Sequence, residues 1–327
     1  MKKEIIIKEN DGGQRLDRFL SKLFPTLKSG YINKAVRNKD IRLNGKRTEA
    51  SHKLEKGDKV YLFLPDRLLC DEPKSVDDFM TAGDNISIIY EDENILLVDK
   101  EQGLTVHADN DGARDTLIER IKKYLYKKGE YLPQNEHVFA PALCNRIDRN
   151  TSGIVIAAKN AESLRILNEK IKKRELEKKY LCIVLGRVFP KENTLTAYLE
   201  KDSEKNIVSI SEEKTKTNLT IKTKYKLLES TGDLSLLEIE LLTGRTHQIR
   251  AHMAYIGHPL LGDGKYGINR VNVKYGFKAQ ALCSHMLTFK FTSEGGILNY
   301  LNNKSFSAKE IPFAGFWERQ KKGIQRQ

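Results

Sequence analysis

Between residues 14 and 64 the apolar positions follow two rhythms in succession. Leu16, Phe19, Leu20 and Leu23 recur at helical spacing until Pro25 stops the pattern. Ser29 stands where it can cap a second helix whose apolar face carries Ile32, Ala35 and Val36. Ile41, Leu43 and the Asn44-Gly45 turn then predict short strands, and Leu54, the Gly57-Asp58 turn and the run 60–64 predict another. The expected unit is a helix pair followed by a small sheet.

Residues 65–84 lose this periodicity and gain Asp, Pro and Ser, notably in Asp71-Glu72-Pro73-Lys74-Ser75, which predicts a linker. From residue 85 onward, apolar runs predict strands over 94–99, 154–158, 180–185 and 234–242. Leu164, Leu167 and Ile171 suit a helix running on towards Glu177. The predicted helices are few and do not alternate regularly with strands. The expectation is therefore an α+β chain with a mixed, largely antiparallel sheet and flanking helices, not a doubly wound one. No internal repeat is evident.

Charge adds a partner to this picture. Against 57 Lys and Arg stand 44 Asp and Glu, a net +13. An excess of this sign suits a polyanion, and it also suits plain solubility. Arg15, Arg18, Lys28, Tyr31, Lys34 and Arg37 fall on the polar faces of the first two helices, a cationic set with one aromatic among it. Taken alone, such a face is equally a solvated one. Cys70, Cys144, Cys182 and Cys283 are scattered without Cys-x-x-Cys spacing, so neither a disulfide framework nor a thiolate zinc site is indicated, and a reducing cytoplasm fits. Nowhere do about 18 apolar residues run together, so no membrane span or exported leader is expected.

Three stretches bear on chemistry. Arg146-Ile147-Asp148-Arg149-Asn150-Thr151-Ser152-Gly153 is a polar turn leading straight into the apolar run 154–158, a layout that can hold a carboxylate at the mouth of a sheet between arginines that favour its charged form. An Asx-type turn with solvated arginines fits the same residues. Thr243-Gly244-Arg245-Thr246-His247-Gln248-Ile249-Arg250-Ala251-His252-Met253 follows a strand and offers Thr246 as the cap of a cationic helix start, suited to phosphate or carboxylate. His247, His252 and His258 lack the four-residue spacing and the acidic or thiolate companions of a zinc site, so no metal is expected. Gly262-Asp263-Gly264-Lys265-Tyr266-Gly267 matches the dinucleotide glycine pattern formally, but no strand precedes it, and a turn is expected.

Taken in order, Tyr90 to Lys100 with Gly103-Leu104-Thr105-Val106-His107, the Asp148 run, Glu177-Lys178-Lys179-Tyr180, and Thr243 to His252 with His258-Pro259-Leu260 and Gly262-Asp263 resemble the RluA family of RNA pseudouridine synthases. The resemblance spans residues 14 to about 292 and is closest to the large-subunit ribosomal RNA type, RluC and RluD. The first module, through Gln14 to Leu20, Lys28 to Ile32, Leu43 to Lys46 and Lys56 to Asp58, is similar to a small RNA-binding domain of a ribosomal small-subunit protein. The resemblance implies an RNA-binding module over 14–64, a linker over 65–84, a catalytic domain over 85–318 and a basic tail over 319–327.

It further implies that Asp148 is the catalytic aspartate, Tyr180 the active-site tyrosine and Arg250 the residue paired with the aspartate. Arg146 would fill the space left by a flipped base, Leu287 would line the pocket and Arg245 would assist. Two departures from the family pattern are Asn145, where His is usual, and Thr292-Ser293-Glu294, where His-Pro usually follows the last aromatic strand. The implied reaction isomerises uridine in structured RNA, most simply ribosomal RNA, with transfer RNA as the alternative substrate and a noncatalytic ribosome-assembly factor as the alternative role. One ionised aspartate suffices where the base is retained and no water attacks, so no cofactor, nucleotide or metal is called for.

Overall fold

The computed structural model describes residues 2–70, 76–108, 112, 114–202, 204 and 207–324. The first layer is small. Strands β1 (Lys2–Ile6), β2 (Ile41–Leu43) and β3 (Lys59–Phe63) form an antiparallel sheet in the order β1-β3-β2. Helices α1 (Leu16–Leu23) and α2 (Ser29–Arg37) pack on it through Leu16, Phe19, Leu20, Ile32 and Val36, all buried. Two expectations change here. The unit reaches back to residue 2, because β1 supplies an edge of the sheet, and Ser29 is the first helical residue rather than the cap, which falls on Lys28 without a side-chain bond.

The expected linker is only partly one. Leu64 and Leu69 are buried in the small core, while helix α3 (Asp77–Met80) buries Phe79 in the main core beside Leu117 and Ile121. Residues 71–75, where the Asp-Pro-Ser composition peaks, lie outside the described residues.

The main layer is a sheet built from β4 (Ser87–Glu91), β5 (Ile95–Lys100), β6 (Ala142–Leu143), β7 (Ser152–Ala158), β8 (Leu176–Leu185), β9 (Glu192–Asp202), β10 (Ile207–Ser211), β11 (Leu219–Thr231), β12 (Leu234–Leu241), β13 (Leu282–Phe289) and β14 (Ser305–Ser307). Its order is β10-β9-β11-β12-β8-β13-β7-β5-β4, with β14 beside β13 and β6 beside β7. Every pairing is antiparallel except β13 with β7. The α+β expectation is met.

Alternation along the strands explains why the sheet is covered on both faces. In β5, Leu96 and Val98 join the core on one face with Val155, Ala157, Cys182 and Ile239, while Ile95 and Leu97 join Ile154, Ile156 and Leu167 on the other. The first face is covered by α4 (Leu117–Lys127), capped by Thr116, and by α6 (Gln248–Tyr255). The second carries α5 (Ala161–Lys172), capped by Asn160. Helix α5 stops at Lys172 instead of reaching Glu177, because Leu176 and Glu177 already pair with Phe289 and Thr288 of β13.

Two further helices complete the chain, α7 (Asn269–Lys274) and α8 (Ala314–Ile324). The expected free basic tail is mostly the end of α8. Trp317 is buried and donates through Nε1 to Glu229 at 2.8 Å, and Lys321 pairs with the same carboxylate; residues 325–327 lie outside the described residues. The small unit docks on the large one through the turn at Glu9–Asp11. Asn10 accepts from the Ala161 N–H at 3.0 Å, Arg165 donates to the Gly12 carbonyl at 2.9 Å, and buried Asp11 meets His137.

Candidate active site

The parallel contact between β7 and β13 fixes the floor of the site. Gly153 lies opposite Ser284, and a Cβ built at Gly153 would sit 2.2 Å from the Ser284 carbonyl oxygen, with φ at +105°. Only glycine permits that approach and that backbone angle. The pairing in turn sets Ser284 across from Tyr180 in β8 and brings the turn that carries Asp148 to the mouth of the sheet.

Asp148 is partly accessible, with a quarter of its side chain exposed, and one oxygen accepts from Arg250 Nη1 at 2.8 Å. Arg250 is buried in α6 and uses its other edge on Asp263, which has no exposed surface. Nε donates to Oδ2 at 2.7 Å and Nη2 to Oδ1 at 2.9 Å. Asp263 Oδ1 also accepts from the backbone N–H groups of Lys265 and Tyr266. The guanidinium is thus a planar bridge between a buried anchoring carboxylate and a reachable one, with the Tyr266 ring 5.3 Å away across its face. Burial raises the Asp263 carboxyl, and Arg250 with the two N–H groups more than offsets it, so its pKa ends below the usual carboxylate range.

His247 sits at φ +54° immediately before α6, with Nε2 3.9 Å from Asp148 and Nδ1 3.0 Å from the Tyr266 hydroxyl. That hydroxyl accepts from the Val208 N–H, which leaves its own proton for His247 Nδ1. Thr246 is therefore not the cap. Gln248 does comparable work instead. Its Oε1 accepts from the Thr243 hydroxyl and the Arg245 N–H, and its Nε2 donates to the Lys222 carbonyl and the Thr223 hydroxyl, so the whole 243–247 loop is pinned to β11. The other two histidines serve as ties, His252 to the Thr223 hydroxyl and His258 to the Leu185 carbonyl.

Below Asp148 lies Lys100, almost wholly buried, whose ammonium donates to the carbonyls of Glu101, Leu104 and Arg149, each at 2.8 Å. Burial lowers its pKa to about 7, against the pull of Asp148 and Glu101 in the other direction. Gly103 reinforces the same join, its N–H donating to the Arg149 carbonyl. Asn145, where the family pattern has His, accepts from the Ile156 N–H at 2.8 Å and so completes the ladder of β7. Thr292 and Ser293 donate to Glu175, the buried partner of Lys170.

Tyr180 is buried among Ile147, Cys182, Ile239 and Leu282, and burial pushes its phenol up to about 12. It is a neutral ring and hydroxyl at physiological pH. Arg146 and Arg149 are exposed on either side of Asp148, and Arg146 adds to the burial that lowers His107. Arg245 is exposed on the loop ahead of His247.

Leu287 needs correction. It pairs across from Lys178, beyond a bulge between Ser284 and Met286, and packs with Leu176 and Phe289 in a separate apolar cluster. The residue of β13 that shares the Tyr180 cluster is Leu282. The family resemblance implies Leu287 at the pocket; beyond the bulge its register puts it in the other apolar cluster. Of the module residues, Arg18 on α1, Tyr31, Lys34 and Arg37 on α2 and Lys28 just ahead of α2 are exposed; Arg15, just ahead of α1, is exposed as well but engaged by Asp17. Asp263 and Lys100 were not singled out as site residues by the pattern. Their signals are modest: Asp263 follows a glycine at φ +82°, and Lys100 stands two places beyond four consecutive buried apolar residues.

Fold and site define a class: a mixed sheet that presents one arginine-clamped aspartate and one buried tyrosine, with cations around them. Residues 94–255 match the family model described as RNA pseudouridylate synthase. The chain is 30% identical over 297 residues to an uncharacterised RNA pseudouridine synthase of Bacillus subtilis, covering 91% of this chain and 92% of the relative. It is 33% identical over 267 residues to the ribosomal large subunit pseudouridine synthase C of Rickettsia bellii, covering 79% and 84%. A human RNA pseudouridylate synthase domain protein shares the fold, with a TM-score of 0.56 at 22% identity over 76% of this chain and 90% of that one. The chain belongs to the RNA pseudouridine synthases of the RluA family, enzymes that isomerise uridine in RNA to pseudouridine.

Proposed function

We propose that this enzyme modifies uridines of large-subunit ribosomal RNA, with Asp148 as the catalytic carboxylate. The observation that carries the assignment of Asp148 is its 2.8 Å bond from Arg250, itself anchored on Asp263. Such a clamp aims a reachable carboxylate, with little reorganisation left for the moment of reaction.

The reaction breaks the bond from ribose to N1 of uracil, turns the base, joins ribose to C5 and releases the C5 proton. Asp148 serves either by adding to the anomeric carbon or by accepting the neighbouring sugar proton, and both routes need it ionised. Tyr180 stacks on the turned base and, as a neutral phenol, is available to move a proton. Flipping a uridine out of a stem costs a few kcal/mol, which exposed Arg146 offsets by taking the vacated place. The cationic faces of α1 and α2 hold the RNA around the target, and the cytoplasm is the compartment proposed; among the described residues no helix is long and apolar enough to cross a membrane.

The ribosomal assignment rests on the relatives named as ribosomal large subunit synthases. Release of tritium from RNA labelled at C5 of uridine tests the chemistry: Asp148→Asn should abolish it while RNA binding persists, and unchanged release would remove Asp148 from the mechanism. Pseudouridine maps of total RNA with and without the gene test the substrate. An unaltered ribosomal RNA map would overturn that assignment.

A further inference from the structure

A cleft of about 690 Å³ opens on the side of the 243–247 loop. Leu219 and Leu242 are the apolar residues of its lining, and Arg174, Lys214, Lys222 and Arg245 are its charged ones. All four cations are exposed, and none forms an ion pair among the described residues. No acidic residue lines it. Elsewhere, a cleft lined by Glu91, Asp92, Glu93 and Glu130 also holds Lys128 and Lys159, both of which pair with Glu91 and Glu130. Unneutralised cations beside two half-open leucines suit a ligand that is anionic along its length and flat between its charges.

The cleft also has a direction. Thr243 and Arg245 belong to the same short loop as His247, whose Nε2 lies 3.9 Å from Asp148, and Gln248 fixes that loop on β11 beside Lys222. The loop that brings His247 to the catalytic carboxylate thus also lines the cleft.

We propose that the cleft is a phosphodiester subsite for the RNA strand flanking the target uridine, its phosphates on Arg174, Lys214, Lys222 and Arg245 and a base against Leu219 and Leu242. The placement of that strand rests on the pseudouridine synthase reading; the binding itself does not. Each phosphate contact on a single strand contributes about 0.7 to the slope of log affinity against log salt.

The test uses the full chain and a fluorescein-labelled oligouridylate of about twelve nucleotides, titrated between about 50 and about 200 mM salt. Over that fourfold range three contacts account for a factor of roughly 20 in affinity. Wild type should therefore lose about 20-fold more affinity than the triple variant Arg174→Gln/Lys214→Gln/Lys222→Gln. An unchanged slope in the triple variant, or a slope carried wholly by Arg18 and Lys34, overturns the proposal. The three side chains are exposed, so an unchanged melting temperature should show that the fold is intact. The single reversal Lys214→Glu, which should weaken binding further than Lys214→Gln, supplies a second reading. A protein that binds through these residues yet forms no pseudouridine would sink the catalytic reading alone. An active enzyme with an unchanged slope would sink the cleft alone.

Discussion

Replacing Asp263 by Asn changes one atom and no volume, yet it should damage both stability and turnover. Asp263 Oδ1 accepts from Arg250 Nη2 and two backbone N–H groups, while Oδ2 accepts from Arg250 Nε at 2.7 Å. In Asp263→Asn the amide oxygen keeps the busier position, and the amide nitrogen then points its hydrogens at the Nε–H of Arg250. One charge-assisted bond, worth about 1.5–3 kcal/mol, becomes a donor-to-donor contact, and the buried guanidinium loses half its counter-charge. Breaking a buried pair on one side typically costs about 3–5 kcal/mol, and full burial of Asp263 places this pair in that range. Arg250 would turn towards its remaining acceptor, shifting Asp148; a misplacement on the order of 1 Å costs about 100-fold in rate. Urea unfolding monitored by tryptophan fluorescence reads the first effect and tritium release the second. Stability within about 1 kcal/mol of wild type together with kcat within threefold would refute the view that Asp263 aims the clamp.

Gly153→Ala should destabilise by about 3 kcal/mol, since its Cβ meets the Ser284 carbonyl oxygen at 2.2 Å and its φ is +105°; a melting curve matching wild type would contradict this. His252 supplies a pH test. Burial lowers its pKa to about 4, below the ordinary 6.5, so the unfolded chain takes up the proton first. Its contribution is present above about pH 6.5 and declines by up to about 3 kcal/mol as pH falls to about 4. His252→Phe should flatten that part of the stability profile, and an equally steep profile would assign the loss to other groups. Arg18→Gln/Lys34→Gln should reduce the salt slope of RNA binding by about 1.5, and no change would return those residues to a solvated face.

Much of the architecture was legible because a strand covered on both faces reads as an unbroken apolar run and a surface helix as an apolar stripe. The runs over 95–98 and 154–158 lie where the pattern put them, and Leu16, Phe19 and Leu20 cover the small sheet as their spacing requires. Misplacements came where long-range pairing overrules local rhythm. The rhythm of Leu164, Leu167 and Ile171 carries no stop before Glu177, but pairing with β13 claims Leu176 and Glu177 for a strand. Thr246 is a good cap by type, yet Gln248 satisfies the loop from inside the helix and His247 takes the left-handed turn. Phe79 and Leu69 were hidden in a polar stretch because single apolar residues have no period. Within the candidate site, the pairing of Asp148 with Arg250 bridges 102 residues and has no local trace; the family resemblance suggested it, and only the folded chain shows Asp263 behind it.

Lys100 gives the site a different kind of consequence. One ammonium with three donors ends on three carbonyls, two from the loop after β5 and one from the residue next to Asp148. It behaves as a bound ion would in a crown of oxygens, except that it is tethered and cannot leave. The position of the Asp148 turn is thereby settled when the chain folds, before any RNA arrives. The movement that catalysis demands then falls on the nucleic acid: the uridine must come to a carboxylate that does not travel. An RNA already bent or unpaired at its target should therefore be processed faster than a perfect stem of the same sequence.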